Sequence, residues 1–192
     1  HQVYDVIGHS PDVSRVYAMT GVILPGGPLF FVDTHLSVEP TAEQIAEMTC
    51  LAAKAMARFG LEPKAALLSH SSFGASHAPS ARKMRVALEL IRARDPDLEV
   101  DGEMQADAAL IPAIRDRAVH DSRLAGTANL LVMPTLDAAN IAANLVRAAA
   151  DGLQVGPILL GMARPLHVLT PSVTARGIGN VAAFAVTESQ AG

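Results

Sequence analysis

The chain has 192 residues, 50% of them hydrophobic and 18% charged, which is the composition of a folded globular chain and not of a disordered one. Lys+Arg 15 against Asp+Glu 19 gives a formal net charge of -4, so a nucleic-acid partner is not expected. A single cysteine, Cys50, excludes an internal disulfide and fits a reducing, cytoplasmic setting. No apolar run reaches the about 18 residues that suggest a membrane span, and no charged-then-apolar leader opens the chain. His1 is not a usual start residue, so a longer polypeptide upstream is expected.

In chain order, Val22-Ile23-Leu24 and Leu29 to Val32 flank Pro25-Gly26-Gly27-Pro28, the pattern of two strands joined by a tight turn. Thr41 with Gln44 three residues on is a capping box. It opens a helix whose apolar stripe is Ile45, Met48, Ala52, Ala55, Met56 and Phe59, and Gly60 ends that helix. Ala65 to Leu68 reads as a strand, followed by a polar loop from Ser69 to Pro79. Ser80 is expected to cap the next helix, which has Met84, Ala87, Leu88 and Ile91 inward and stops at Asp95-Pro96. Leu98-Glu99-Val100 is a short strand, and Gln105 to Arg117 is expected to be helical. Asn129 to Met133 is a strand, Asp137 opens an alanine-rich helix ending near Asp151-Gly152, and Val155 to Leu160 is a strand. Ser172 to Thr187 supplies a closing helix. Apolar runs alternating with helices imply a three-layer α/β/α domain around a mainly parallel sheet.

In such sheets ligands gather beyond the carboxyl ends of the strands. There the loop Ser69-His70-Ser71-Ser72-Phe73-Gly74-Ala75-Ser76 offers hydroxyl and backbone donors suited to an anion. The same residues suit a loop that satisfies its own backbone, the commoner use of such turns. His70 and His77 flank it as candidate ligand contacts. Asp101, Glu103 and Asp107 read as three carboxylates just after a strand, fit for acid–base chemistry or a hard cation, with the helix-terminal role favoured. Thr170-Pro171 reads as an N-cap followed by proline at the first helical position, before Ser172. Arg82, Lys83 and Arg85 read as a solvated face, with Lys83 within reach of the serine loop. Cys50 reads as packing. The seven histidines form no HxxxH or HExxH pair, and neither a GxGxxG nor a GxxxxGK[ST] fingerprint is present, so no metal site or phosphate cradle is expected.

Several stretches carry a family likeness. They are Val6-Ile7-Gly8, Ala65 to Ser71, Pro96 to Ala109, Ser122 to Pro134, Asp137 to Ile141 and Gly156 to Gly161. In this order along the chain the sequence resembles the phosphotransacetylase family of phosphate acetyl and butyryl transferases, over its C-terminal part. The phrases Leu68 to Gly74, Pro79 to Arg85, Ile158 to Gly161 and Leu169 to Ile178 resemble the branch of that family fused to bacterial NADP-dependent malic enzymes.

The resemblance implies the second lobe of a phosphotransacetylase-like (isocitrate/isopropylmalate dehydrogenase-like) fold. Residues 1–192 would be the C-terminal part of the domain, with about 9–165 one α/β lobe and about 166–192 a helix returning toward a missing lobe. That helix is expected to be displaced or shared with a neighbouring chain. The implied ligand cleft holds Ser69, Ser71, Ser72, Gly74, Thr170 and Ser172. Active phosphotransacetylases read Leu-Ser-Arg-Gly near the last helix, with an aspartate shortly after. Here Thr170 stands at the serine, Pro171 at the arginine and Gly177 at the aspartate. Proline offers phosphate neither charge nor donor, and glycine cannot deprotonate a thiol. No catalytic residue, metal or cofactor is therefore expected in this stretch. The implied role is a regulatory domain that binds acetyl-CoA or a related CoA ester and assembles a homodimer or higher homo-oligomer. The parent enzyme would use NADP and a divalent metal (Mg or Mn) to convert malate to pyruvate. The alternatives are an active phosphate acyltransferase and an oligomerisation module without a ligand.

Overall fold

The computed structural model describes residues 8–163 together with Gly179 and Ala182. Six strands and five helices occur among them: β1 (Tyr17–Leu24), β2 (Gly27–Val32), α1 (Ala42–Arg58), β3 (Lys64–Leu68), α2 (Pro79–Arg94), β4 (Glu99–Met104), α3 (Ala106–Leu110), α4 (Pro112–Ala118), β5 (Leu130–Val132), α5 (Leu136–Ala149) and β6 (Leu153–Leu160). The sheet order is β4-β3-β5-β2-β1-β6. Pairs β3/β4, β3/β5 and β2/β5 are parallel, and β1 alone runs against its neighbours β2 and β6. The mainly parallel sheet is as expected.

Strand alternation sends side chains to two separate cores, which is what makes the domain three-layered. On one face Tyr17, Met19, Phe30, Val32, Leu67 and Leu130 meet Ile45, Met48 and Met56 of α1 and Met84, Leu88 and Ile91 of α2. On the other, Val22, Phe31, Ala66, Leu68 and Leu131 meet Ala108 and Ala109 of α3 and Ala139 and Ala143 of α5. β1 alternates regularly, sending Tyr17 and Met19 to the first core and Val22 to the second, while its register with β6 shifts between Met19 and Gly21. Gly21 is needed there, since a Cβ would lie 2.9 Å from the Phe30 ring.

Local signals set most element ends. The hairpin pairs Leu24 with Gly27, so Pro25-Gly26 is the turn, and Gly27 and Pro28 already belong to β2. Both halves of the Thr41/Gln44 capping box form: Thr41 Oγ1 accepts from the Gln44 amide at 3.3 Å and Gln44 Oε1 from the Thr41 amide at 3.0 Å. At the other end of α1, Gly60 takes φ +74°, the left-handed conformation expected of a terminating glycine.

Three expectations are corrected. Ser80 does not cap α2: Pro79 occupies the first turn and Ala78 the cap position, with no side-chain cap bond. The stretch from Gln105 to Arg117 is two helices, broken at Ile111-Pro112, because proline restricts the residue before it. Asp101 and Glu103 lie inside β4, which runs on to Met104, rather than after a strand. Cys50 packs in α1 and is buried, as expected. The closing helix at Ser172–Thr187 and the segment 166–192 lie outside the described residues, apart from Gly179 and Ala182, whose backbone is helical. Among the described residues no helix is long and apolar enough to cross a membrane.

Candidate functional site at the carboxyl edge of the sheet

β2, β3, β4 and β5 run the same way, so the segments after Val32, Leu68, Met104 and Val132 gather along one edge. Polar side chains tie these segments in pairs, the one after β3 to the end of β4 and, through Lys83, the one after β2 to the one after β5.

The serine loop after β3 is latched to β4 by Glu103, which is wholly buried. One of its oxygens, Oε1, accepts from the Ser71 hydroxyl at 3.0 Å, the Gly74 amide at 3.1 Å and the Arg85 guanidinium at 2.7 Å. Its backbone carbonyl takes the Phe73 amide at 2.7 Å. Arg85 also donates to the Ser76 carbonyl at 3.1 Å, so one guanidinium of α2 grips both the loop and the carboxylate below it. Gln105 closes the other side: its amide donates to Ser72 Oγ at 3.1 Å and its side chain to the His70 carbonyl at 3.0 Å. Phe73 at φ 48° and Gly74 at φ 88° turn the backbone between these anchors.

The turn after β2 is organised by Asp33, a buried carboxylate that accepts from four backbone amides. The Ala18, His35 and Leu36 amides reach Oδ1 at 3.2, 3.0 and 3.2 Å, and the Ser37 amide reaches Oδ2 at 3.0 Å. Thr34 Oγ1 lies 2.8 Å from both Thr20 Oγ1 and His35 Nδ1. Lys83 of α2 spans to the remaining segments, donating to the Pro134 carbonyl at 2.7 Å with Glu39 at 3.6 Å.

The residues expected to bind a ligand are thus placed as follows. Ser71 is buried and gives its hydroxyl proton to Glu103. Ser69 Oγ accepts the Ser71 amide at 3.3 Å, and Ser72 Oγ accepts the Gln105 amide. Among the described residues neither of these half-buried serines is held to a carboxylate, and the Ser72 hydroxyl has no acceptor. Gly74 is exposed at the tip. His70 reaches Ser76 Oγ at 3.2 Å, and His77 is exposed. Thr170 and Ser172 lie outside the described residues. The structure therefore places Ser69, Ser71, Ser72 and Gly74 in one loop whose side chains satisfy backbone groups of the loop and of β4's end, with Ser69 and Ser72 half-buried at its rim.

Two readings change. Lys83 and Arg85 are not a solvated face, since both bridge loops, whereas Arg82 is exposed. Asp101 and Glu103 do not serve a helix terminus. Asp101 takes Arg92 at 3.0 Å, the Ser122 hydroxyl at 2.8 Å and the Arg123 amide at 2.9 Å, pinning the 119–128 loop. Asp107 alone sits in the first turn of a helix, its Oδ1 accepting from the Ala108 amide at 2.8 Å. Asp33 is the residue that sequence reading missed, and Glu103 one whose role it misassigned. Their signal is a carboxylate inside or directly after an apolar run, which burial obliges to find donors. Among the described residues no cluster of three His, Cys, Asp or Glu side chains is placed to hold a metal.

An open, mainly parallel α/β sheet with its loops gathered along the carboxyl edge sets the fold class, in which ligand sites commonly lie at that edge. Comparison narrows the class. The model of the phosphate acetyl/butaryl transferase family matches residues 1–186. The NADP-dependent malic enzyme of Escherichia coli is 51% identical over 189 residues, covering 98% of this chain and 25% of its own length. The phosphate acetyltransferase of Corynebacterium glutamicum is 34% identical over 189 residues, 98% of this chain and 57% of its own. A phosphotransacetylase structure from Streptococcus pyogenes superposes with TM-score 0.92 at 31% identity, over 97% of this chain and 57% of that one. The chain belongs to the phosphate acetyl/butaryl transferase family. It spans about a quarter of the length of the malic enzymes it matches, and rather more than half that of the acetyltransferases.

Proposed function

We propose that this chain is the acetyl-CoA-responsive regulatory and assembly domain of a malic enzyme and is not itself an acyltransferase. The observation that carries the reading is the departure at Pro171 and Gly177, where the resembled transferases have a phosphate-binding arginine and a base. Loss of both groups removes charge-matched phosphate binding and thiol activation, while a cleft can still hold a CoA ester, because binding and chemistry use different groups. Identity of 51% to a malic enzyme, against 34% to an acetyltransferase, supports the same parentage. The rim serines Ser69 and Ser72 would donate to the ligand. The assembly role is supported by α5, whose outer face leaves Ile141 and Leu145 63% and 65% exposed one helical turn apart. Such a ligand would act by favouring one global state of the oligomer. The malate-oxidising chemistry, with NADP and a divalent metal, would belong to the rest of the parent chain.

Calorimetric titration of the parent enzyme with acetyl-CoA, alongside malate-dependent NADP reduction with and without it, tests the reading. Saturable binding with altered malate kinetics is the expected result, and absence of both would sink the proposal. An assay for acetyl-CoA formation from acetyl phosphate separates the active-transferase alternative, for which Pro171 and Gly177 predict no rate above background.

A further inference from the structure

A second cavity lies away from the serine loop. It is a groove of about 830 Å³ along one flank of α1, bounded by the 10–13 loop, the end of α2 and Gly161-Met162. That volume falls in the range of small-molecule sites, roughly 300–1,000 Å³. Val13, Cys50, Leu51 and Met162 supply an apolar lining.

Its two ends differ in charge. From Glu47 to Arg58 the helix rises about 16 Å. At the Glu47 end the carboxylate is already engaged: the Ser14 amide donates to Oε1 at 2.9 Å, and the Tyr17 hydroxyl to Oε2 at 2.6 Å with the Ser14 hydroxyl beside it. At the far end Lys54, Arg58 and Arg94 line the groove, and none forms an ion pair or side-chain hydrogen bond among the described residues. Asp95 is the acid at that end and Asp12 the one by the opposite loop. Burial, with Asp95 nearby, pushes the Cys50 thiol up, Arg94 and Lys54 acting the other way. Arg58 and Arg94 stand in the last turns of α1 and α2, where cations complement the helix dipole. That role accounts for neither Lys54 nor the convergence of all three on one cavity.

We propose that this groove binds a phosphorylated small molecule of nucleotide size, with its phosphates on Lys54, Arg58 and Arg94 and its less polar part on the Cys50–Leu51 lining. The site is separate from the serine loop, and the proposal stands whether or not the loop binds a CoA ester.

Isothermal titration of the 192-residue chain with ADP, inorganic pyrophosphate and adenosine tests it. ADP and pyrophosphate should bind saturably and weaken as salt is raised, with adenosine at least tenfold weaker than ADP. Lys54→Ala/Arg58→Ala should weaken ADP at least tenfold, Arg94→Glu should do the same, and Arg117→Ala on exposed α4 should leave it unchanged. The substituted side chains are exposed, and an unaltered melting temperature verifies the fold of each variant. Failure of ADP to saturate at millimolar concentration, wild-type affinity in both groove variants, or equal binding of adenosine and ADP would each overturn the proposal.

Discussion

Arg85→Met is the most informative single perturbation of the carboxyl edge. The substitution keeps the aliphatic stem in α2 but removes the one cation paired with Glu103 among the described residues, and the Glu103 carboxylate is fully buried. Glu103 keeps two neutral donors, the Ser71 hydroxyl and the Gly74 amide. Breaking one side of a buried ion pair costs about 3–5 kcal/mol. Arg85 is 31% exposed, so water enters the gap and the lower end, about 3 kcal/mol, applies. For a chain of this size each kcal/mol moves the melting temperature by about 2–4 °C, which gives a fall of roughly 6–12 °C by scanning calorimetry. The damage should also be local, with faster hydrogen exchange at the Phe73 and Gly74 amides, both held by Glu103. Adding Glu103→Gln removes the unpaired charge and keeps an acceptor for Ser71, so the double variant should recover most of the loss. A drop under about 2 °C in Arg85→Met, or a double variant no more stable than the single, would refute the latch.

Thr41→Ala removes one half of the α1 capping box and should cost about 1 kcal/mol, read as a lower urea midpoint with unchanged slope. Burial works to raise the Glu47 carboxyl, but the hydrogen bonds from Ser14 and Tyr17, aided by Arg94, outweigh it and hold the group below its ordinary 4.5. Its stabilising effect is therefore complete above that value and is lost as pH falls through the lowered one, so Glu47→Gln should flatten the acid limb of a stability–pH curve. Burial first, then the bond to Glu47, pushes the Tyr17 phenol above its ordinary range, so in the wild type that contribution disappears only as pH rises past about 10. Tyr17→Phe should remove this alkaline loss. Gly102→Ala should destabilise by roughly 2–4 kcal/mol in chemical denaturation, because Gly102 holds φ +145° and a Cβ would lie 2.7 Å from the Leu67 carbonyl oxygen in β3.

What was legible in the sequence followed from local chemistry. The Pro25-Gly26 turn, the Thr41/Gln44 box and the stripe from Ile45 to Met56 act within a few residues of themselves, and each formed as read. Where reading failed, a longer-range or finer competition decided. Pro79 took the first helical turn from Ser80, and Pro112 split a stretch whose apolar periodicity alone looks continuous. The carboxylates of β4 were misread because Asp101-Gly102-Glu103 looks like a polar loop until its partners are known. Those partners include Arg85, Arg92, Ser122 and Ser71, up to 32 positions away, and no period in the sequence joins them. The same holds for Lys83, whose acceptor is the Pro134 carbonyl 51 positions on.

The way these charges are used bears on what the edge does for a ligand. A general base needs a lone pair within reach of the proton it removes. Asp33 faces four backbone amides, and Asp101 a guanidinium, a hydroxyl and backbone amides. Glu103 has three donors on one oxygen, and its other oxygen is buried without a partner. Each of these three carboxylates fixes a loop through its hydrogen bonds. The described edge also carries the hydroxyls of Ser69 and Ser72, the imidazoles of His70 and His77, the backbone around Gly74 and the exposed carboxylate of Asp107. Donors on a loop locked by a buried ion pair are pre-organised to hold an anionic or carbonyl-bearing group, and holding such a group needs no proton transfer. Under the function proposed above, a loop latched in this way would serve to hold a ligand, and no proton transfer would be asked of Asp33, Asp101 or Glu103.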